Sequence, residues 1–469
     1  MTVSLIGIAV CAVIWGVGWL MGSPTVVGLI VSVAFGTTSA MTLGALGGSS
    51  PLIYFIFAAL LICGCCLNRD LAASLKRVFK EEWVVGVVIG LILYSMAGAI
   101  LLPRLFAGET SAFVAARGIG VVEVALSPSS GNITQTGYFI LGALTFIALL
   151  ATLRRSDGLS SIRKGFFAWA LVNAVGGVID LTAKIAGAGD IMMPIRTATF
   201  SYLTETEQAG FWRINGTYSE ASSFGGAALA SMAYTYMSWR HAGSRTALLV
   251  SLTLLVLLVL STSTTAYVGL GVMLVPLLAS LIHSLVRGAL GSDGILIILV
   301  IAIVSALVIF VALADHAALE PFQKLFQTTL LDKSQSESGR ERSHWNQRSL
   351  ESLFDTWGFG IGFGSSRASN WFVAVLSQLG LVGFLMQLAL LLPFFKRVAR
   401  PPRSSPSFEA FVLHEGLRAC ALATMVAGAV AGGSADPGLL FFVALAGLLA
   451  CQATLAQARR PAPLQSGAP

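Results

Sequence analysis

The 469-residue chain is 56% hydrophobic and only 11% charged, whereas a soluble globular chain carries roughly 25% charged residues. Apolar stretches of about 17 residues or more recur along its whole length, and each is long enough to cross the hydrocarbon core of a bilayer. This pattern excludes a soluble globular protein, and the continuous rather than alternating apolar segments exclude a β-barrel. The net charge of +7 does not indicate a nucleic-acid partner, because most Lys and Arg residues fall in short loops between apolar segments.

The apolar segments predict an all-α polytopic transmembrane helical bundle of about 12–13 spans. The first pair is the least regular, because Pro24 and the glycine-rich residues 41–50 are typical of a broken or re-entrant segment, so twelve spans are as acceptable as thirteen. We expect one transmembrane domain over residues 1–455 and a disordered cytoplasmic tail over 456–469. The predicted spans are 4–21, 24–46, 51–67, 83–103, 137–153, 165–187, 219–238, 246–261, 265–286, 294–314, 370–395, 412–432 and 438–455.

The ends of the chain and its cysteines add little chemistry. The apolar N-terminus lacks a basic region, so we interpret it as the first membrane segment rather than a cleaved signal peptide. All six cysteines lie in apolar segments, and the Cys63–Cys66 cluster has neither a nearby His nor a second CxxC pair. We therefore predict no metal site and no cofactor.

Basic residues set the predicted orientation. By the parity of the spans they all fall on one side, which the positive-inside rule makes the cytoplasm. Three longer segments then face outward: 104–136, 188–218 and 315–369. The basic residues are Arg69, Lys76, Arg77, Lys80, Arg154, Arg155, Arg163, Lys164, Arg240, Arg245, Arg287, Lys396, Arg397, Arg400, Arg403, Arg459 and Arg460.

The outer loop 315–369 is the largest. Two runs of apolar residues recur in it at helical spacing and predict short amphipathic helices on the outer membrane surface. A loop that merely packs on the bundle is the alternative. The runs are Leu319, Phe322, Phe326 and Leu330, and then Trp345, Leu350, Leu353 and Phe354.

Within this loop, the sequence SGRERSHWNQR begins at Ser338. Guanidinium groups bind phosphate oxygens in a bidentate manner. Arg340 and Arg342, with His344 close by in sequence, therefore predict a pyrophosphate site at the membrane surface. A solvated loop balanced by Glu337 and Glu341 is the alternative.

A glycine-rich turn, WGFGIGFGSSRASN, begins at Trp357. Alternating glycines allow close backbone approach and expose N–H groups to an anion, while a plain flexible turn is the alternative. Arg367 then precedes a helix that Ser369 or Asn370 caps, and a helix N-terminus is a favourable anion site. The glycines are Gly358, Gly360, Gly362 and Gly364.

A third stretch, RINGTYSEASSFGG, begins at Arg213 and places Glu220 at the start of a predicted helix. A carboxylate at that depth is costly unless it is paired or functional. Arg213 and Glu220 therefore either form an ion pair, or act as a second phosphate clamp and a base or orienting group. Elsewhere, Asp180 and Lys184 at i,i+4 predict an internal pair rather than a proton path, and Glu415 and Arg418 are spaced similarly.

With these stretches in hand, the chain resembles the O-antigen ligase and polysaccharide polymerase superfamily over roughly residues 200–395. The resemblance rests on the stretch from Arg213, on SGRERSHW, and on GFGIGFGSSRASN followed by LSQLGLVG. The ligase branch has a His followed by Asn, Ser or Gln, then nine residues and Gly-x-x-Gly. Here Asn370, Gly380 and Gly383 keep the spacing, but Ser369 stands at the His position.

The resemblance implies a metal-independent membrane glycosyltransferase in the bacterial inner membrane, with its active site facing the periplasm. Its donor would be an undecaprenyl-pyrophosphate-linked oligosaccharide and its acceptor a glycan, with no nucleic acid involved. Membrane lipids and proteins for chain-length control and export are the other partners it suggests. Arg213, Arg340 and Arg367 would bind the diphosphate, and Glu220 or His344 would act as base. Supporting residues would be Arg342, Arg348, Gly362, Gly364, Ser369 and Asn370.

Because Ser369 replaces the ligase His, the sequence favours a polymerase that joins repeat units into an exopolysaccharide or O-antigen. The alternatives are an O-antigen ligase acting on lipid A–core, a protein-glycosylating relative, or, in a different class, a transporter or flippase of lipid-linked sugars. A transporter exposes polar groups along a path through its bundle, whereas the charges of this chain collect on one side.

Overall fold

The computed structural model describes residues 2–44, 48–116, 120–154, 158–200, 202–204, 207–208, 211–289, 291, 294–299, 301–302, 324, 327 and 332–459. Within them, fourteen α-helices carry the fold. They are α1 (Leu5–Leu20), α2 (Pro24–Ser32), α3 (Ile53–Leu67), α4 (Arg69–Glu81), α5 (Trp83–Leu105), α6 (Ser130–Leu153), α7 (Gly158–Ile185), α8 (Ala221–Ala242), α9 (Arg245–Leu260), α10 (Thr264–Val286), α11 (Glu337–Asp355), α12 (Trp371–Phe395), α13 (Phe408–Ala431) and α14 (Leu439–Ala458).

The predicted all-α polytopic bundle is confirmed. Seven of the described helices are long and apolar enough to cross a membrane, namely α5, α6, α7, α10, α12, α13 and α14, and three more apolar helices, α1, α3 and α9, are shorter. The helix α8 has a comparable length but is rich in Ala, Gly and Ser, and it packs tightly against α13 and α9. The aromatic residues Phe166, Trp169 and Tyr234 belong to the buried core between these helices.

Several predicted spans differ from the structure at their ends. The segment predicted as a span over 24–46 is helical only to Ser32, and its continuation forms turns and a short strand. The last helix continues to Ala458, so the predicted disordered tail begins too early, and residues 460–469 lie outside the described part. Most of the predicted span 294–314 and the run from Leu319 to Leu330 also lie outside it.

Two regions interpreted as loops contain regular structure. The basic segment after Leu67 forms helix α4, and the outer segment after α5 forms an antiparallel hairpin of β3 (Ser111–Ala116) and β4 (Gly120–Ala125). The remaining strands are two-residue pairs: β1 (Thr2–Val3) with β2 (Met41–Thr42), and β5 (Glu207–Gln208) with β6 (Phe211–Trp212). The second amphipathic run forms part of α11, where Leu353 is buried but Phe354 is 76% exposed.

The basic loops meet at one end of the bundle, which we call the basic end. Arg154 forms ion pairs with Glu81 and Glu82, and Arg163 lies 3.0 Å from Glu409. The predicted pair of Glu415 and Arg418 also forms there, at 3.5 Å. The other end carries the hairpin, α11 and the starts of α8, α10, α12 and α14, and we call it the site end.

Helix α12 is broken at Gly380, whose φ of 65° and ψ of −168° are not helical. The glycine-rich turn 357–364 occupies this break, because Ile361 and Gly362 donate their N–H groups to the carbonyls of Ser377 and Gln378, and Leu381 donates to Gly358. Irregular backbone at membrane depth is tolerated where it is buried in protein. These hydrogen bonds therefore attach the glycine-rich turn to α12 at the break.

Candidate functional site

The Arg213 turn, residues 213–220, is held by a buried ion pair on α7. Lys184 Nζ lies 3.1 Å from Asp180 Oδ2, which confirms the predicted pair, and both side chains are almost fully buried. Asp180 Oδ2 also accepts the N–H groups of Asn215 at 2.7 Å and Gly216 at 3.0 Å. Lys184 donates to the Arg213 carbonyl at 2.7 Å. The Asp180–Lys184 pair thus stabilises the backbone of the turn that contains Arg213.

Arg196, which the sequence analysis did not single out, fixes the same turn from the other side. Its buried guanidinium pairs with Asp190 Oδ2 at 2.9 Å and donates to the carbonyls of Gly216, at 2.7 Å, and Tyr218. Because its N–H groups bind a carboxylate and two backbone carbonyls, Arg196 has a structural role in this turn. The Arg213 turn is therefore preorganised by two separate ion pairs.

Arg213 itself is partly buried, and its Nε has no hydrogen-bond partner among the described residues. Burial lowers the pKa of Arg213, the charge of Glu220 raises it, and the charge of Arg342 lowers it again. Arg213 therefore lies within electrostatic range of Glu220 and of Arg342, a second guanidinium group from a distant part of the sequence. Such a grouping of like charges favours an anionic ligand.

Glu220 is the N-cap residue of α8 but accepts a hydrogen bond from the Ser222 hydroxyl, with 2.5 Å between Oε1 and Oγ. No ion pair at contact distance joins it to Arg213 among the described residues, although its charge acts on Arg213 at longer range. Ser222 also lines a cavity at the site end. The Glu220 carboxylate is thus hydrogen-bonded to a residue of the cavity lining and interacts electrostatically with Arg213.

The α11 residues divide into two groups. His344 Nε2 lies 3.1 Å from Glu123 of the hairpin, and Arg348 Nε lies 3.0 Å from the same carboxylate. Arg348 also pairs with Glu351 at 2.5 Å, so its charge is used to attach α11 to the hairpin. Arg342 is the α11 residue that influences Arg213, whereas Arg340 is exposed and forms no ion pair with a described residue.

Glu123 is a residue that the sequence analysis missed. Its pKa is lowered to about 2, chiefly by a hydrogen bond from Ser111 and then by His344 and Arg348. His344 and Arg348 lie more than 200 residues further along the chain. Because His344 is hydrogen-bonded to Glu123, Glu220 is the stronger candidate for the base.

The glycine-rich turn does not present its N–H groups to a ligand. Gly360 donates to the Thr356 hydroxyl at 3.1 Å, Gly362 to the Gln378 carbonyl at 3.0 Å, and Gly364 to Gln378 Oε1 at 2.8 Å. The predicted exposure of these groups to an anion is therefore wrong. The predicted close approach is confirmed, since a Cβ on Gly362 would lie 2.7 Å from the Gly98 carbonyl oxygen.

The start of α12 is capped by Asn370, whose Oδ1 accepts the N–H groups of Phe372 at 2.9 Å and Val373 at 3.4 Å. Ser369 is buried, and its N–H donates to Asn346 Oδ1 of α11 at 2.8 Å. Exposed Arg367 lies against Gly433, because a Cβ there would come within 2.8 Å of its Nε. Arg367 therefore borders the loop between α13 and α14.

That loop, residues 432–438, carries Asp436, the second residue that the sequence analysis missed. Burial raises the pKa of Asp436 to about 6, against the opposing effect of a 2.8 Å hydrogen bond from the Gly438 N–H. Asp436 lines the same cavity as Ser222. In sequence it is an isolated carboxylate between two apolar helices, so only the packing of the helices identifies it.

No group of three His, Cys, Asp or Glu residues suited to a metal ion occurs among the described residues. Comparison with known proteins identifies no family, because no family model matches the chain and no curated protein matches it. The site end combines two arginines that interact electrostatically, a carboxylate hydrogen-bonded to the cavity lining, and a third arginine against the loop that carries Asp436.

Proposed function

We propose that this chain is a membrane glycosyltransferase that polymerises lipid-linked oligosaccharide repeat units into an exopolysaccharide or O-antigen. The site end would face the periplasm of the bacterial inner membrane, and the reaction would release undecaprenyl pyrophosphate. The main support is that Arg342 and Arg213 interact electrostatically and neither forms an ion pair with a described residue, at the end of the bundle opposite the basic loops. Guanidinium groups bind phosphate oxygens strongly, so this pair suits a lipid diphosphate at the membrane surface.

In the proposed reaction, Arg213 and Arg342 bind the donor diphosphate, with Arg367, against Gly433, as a further cation at the site end. An acceptor hydroxyl oxygen attacks the anomeric carbon of the donor sugar. The bond between that carbon and the pyrophosphate oxygen breaks, and its electron pair remains on the pyrophosphate. The arginines stabilise this developing charge.

The proton of the acceptor hydroxyl goes to Glu220. This carboxylate already accepts a hydrogen bond from Ser222 at the cavity, so it lies where an acceptor hydroxyl would enter. Proton transfer by a positioned carboxylate contributes about 10²–10⁴-fold to a rate. Since pyrophosphate is a good leaving group, positioning of the two sugars contributes as well.

The test uses the purified protein in lipid nanodiscs with undecaprenyl-pyrophosphate-linked repeat units and without lipid A–core. A ladder of lengthened lipid-linked glycans, with release of undecaprenyl pyrophosphate, is the expected result. Transfer that occurs only after lipid A–core is added would instead make the protein a ligase. Movement of intact lipid-linked sugar between leaflets without new glycosidic bonds would make it a transporter.

A further inference from the structure

The cavity at the site end has a volume of about 350 Å³, which lies within the range of about 300–1,000 Å³ for small-molecule sites. It lies between the first turns of α8, α10 and α12 and the last turns of α13. Its lining combines aromatic side chains with neutral hydroxyl groups, and none of the described lining residues is Lys or Arg. The aromatic members are Trp169, Tyr218 and Trp371, and the hydroxyl members include Ser222, Thr265 and Ser434.

The buried polar groups of this lining that lack a hydrogen-bond partner include the Trp371 indole and the Thr265 hydroxyl. Trp371 is 3% exposed and Thr265 is 2% exposed, and neither the indole Nε1–H nor the Thr265 hydroxyl has a hydrogen-bond partner in the described chain. Buried polar groups are almost always hydrogen-bonded, because leaving one unpaired is costly. Their shared position at one cavity indicates a ligand that offers hydrogen bonds to both.

The lining also contains a strong hydrogen-bond acceptor. Asp436 lines the cavity on the loop between α13 and α14, and its Oδ1 already receives the Gly438 N–H. A carboxylate in the wall, without a cation beside it in the lining, disfavours an anionic ligand. The diphosphate-binding arginines lie outside the cavity, so the two regions differ in chemistry.

We propose that this cavity binds one neutral sugar ring of the acceptor glycan, an inference that rests on the proposed glycosyltransferase function. Aromatic faces pack against the apolar face of a pyranose, while hydroxyl, indole and carboxylate groups exchange hydrogen bonds with its ring hydroxyls. Ser222 joins the cavity to Glu220 through their hydrogen bond. A hydroxyl of the bound ring would therefore lie beside Glu220.

The chain offers a matched pair of threonines to test this. Thr265 and Thr424 both line the cavity, but the Thr424 hydroxyl already donates to the Cys420 carbonyl at 2.9 Å. The substitutions Thr265→Val and Thr424→Val keep the shape of the side chain and remove one hydroxyl each. Trp371→Phe removes the indole donor and keeps an aromatic face.

Binding is measured by saturation-transfer NMR on nanodisc-embedded protein, with a panel of methyl glycosides of hexoses and N-acetylhexosamines as probes. At least one glycoside should bind, and Thr265→Val and Trp371→Phe should each weaken it about three- to tenfold, the effect of one lost hydrogen bond. Thr424→Val should change it by less than about twofold, because its hydroxyl is not offered to a ligand.

Stability of the sugar-free protein provides a second readout. Thr265→Val should leave the melting temperature unchanged or raise it, because it removes a buried hydroxyl without a partner. A melting temperature below that of Thr424→Val would show a structural role for the Thr265 hydroxyl and overturn the inference.

The two proposals fail in different ways. Glycoside binding that follows the threonine pattern, without any ladder from lipid-linked repeat units, would support the cavity and overturn the glycosyltransferase function. A ladder that forms at the wild-type rate in Thr265→Val, with no glycoside bound by the wild type, would overturn the cavity alone.

Discussion

Asp180 and Lys184 form a buried ion pair with 3.1 Å between carboxylate and ammonium, and both also bind the backbone of the Arg213 turn. Replacing one member of a buried pair leaves the other charge uncompensated and typically costs about 3–5 kcal/mol. Lys184→Met should therefore lower the free energy of unfolding by an amount of that order. It should also abolish glycan polymerisation, because Arg213 loses its support.

The double variant Asp180→Asn with Lys184→Met should recover part of this stability without recovering activity. Its control is Glu415→Gln, which breaks the ion pair with Arg418 at the basic end. That control should keep activity in molecules that remain folded. Thermal unfolding and ladder formation are measured for all variants, and full activity in Lys184→Met would contradict the proposed role of the Arg213 turn.

The two arginines of α11 allow a comparison within one helix. Arg342 lies in the electrostatic range of Arg213, whereas Arg340 is exposed. Loss of one group that stabilises transition-state charge costs about 10²–10³-fold in rate. Arg342→Ala should lower the polymerisation rate by that factor, while Arg340→Ala should have a smaller effect. Equal effects would indicate that donor binding is not centred on Arg213.

The two candidate bases are distinguished by replacing each with glutamine. Glu220→Gln should lower kcat by about 10²-fold or more, because it removes the proton acceptor while keeping a hydrogen-bonding group. His344→Gln should have a smaller effect, because His344 is bound to Glu123. Donor binding, measured with the lipid-linked substrate, should persist in Glu220→Gln. A larger loss in His344→Gln than in Glu220→Gln would reverse the assignment.

Glu123 connects the hairpin to α11, and its lowered pKa sets the pH range of this connection. A carboxylate with a depressed folded-state pKa contributes stability that is complete above its ordinary value of 4.5 and is lost as pH falls through about 2. Amide exchange of residues 337–355 in the wild type should therefore stay slow near pH 4. In Glu123→Gln, amide exchange of the same residues should be fast even at neutral pH, because the contacts of Glu123 with His344 and Arg348 are lost.

The control for this experiment is Glu351→Gln, which breaks an ion pair within α11 and leaves Glu123 in place. Amide exchange in the hairpin and at the start of α11 should be similar in Glu351→Gln and in the wild type. Similar exchange in Glu123→Gln and Glu351→Gln would mean that the hairpin does not anchor α11.

Spacing along the sequence correctly predicted contacts between residues that are close in sequence. The i,i+4 pair of Asp180 and Lys184, and the Asn370 cap, follow from helix geometry, and both are confirmed. Glu123 and Asp436 could not be identified, because their importance comes from contacts with residues distant in sequence. The glycine spacing predicted close backbone approach, but no local pattern indicated that the turn fits into a break in α12 itself.

Gly380, where α12 breaks, provides the last prediction. Its φ of 65° and ψ of −168° fall in a region that is essentially restricted to glycine and costs other residues about 1–3 kcal/mol. A Cβ there would also collide with the Gly358 and Phe359 carbonyl oxygens. Gly380→Ala should therefore displace the glycine-rich turn and with it Arg367, so that both stability and polymerisation fall. Gly271→Ala in α10, where a Cβ meets no atom within 4 Å, should be tolerated, and equal behaviour of the two variants in thermal unfolding would show that the break in α12 is not required.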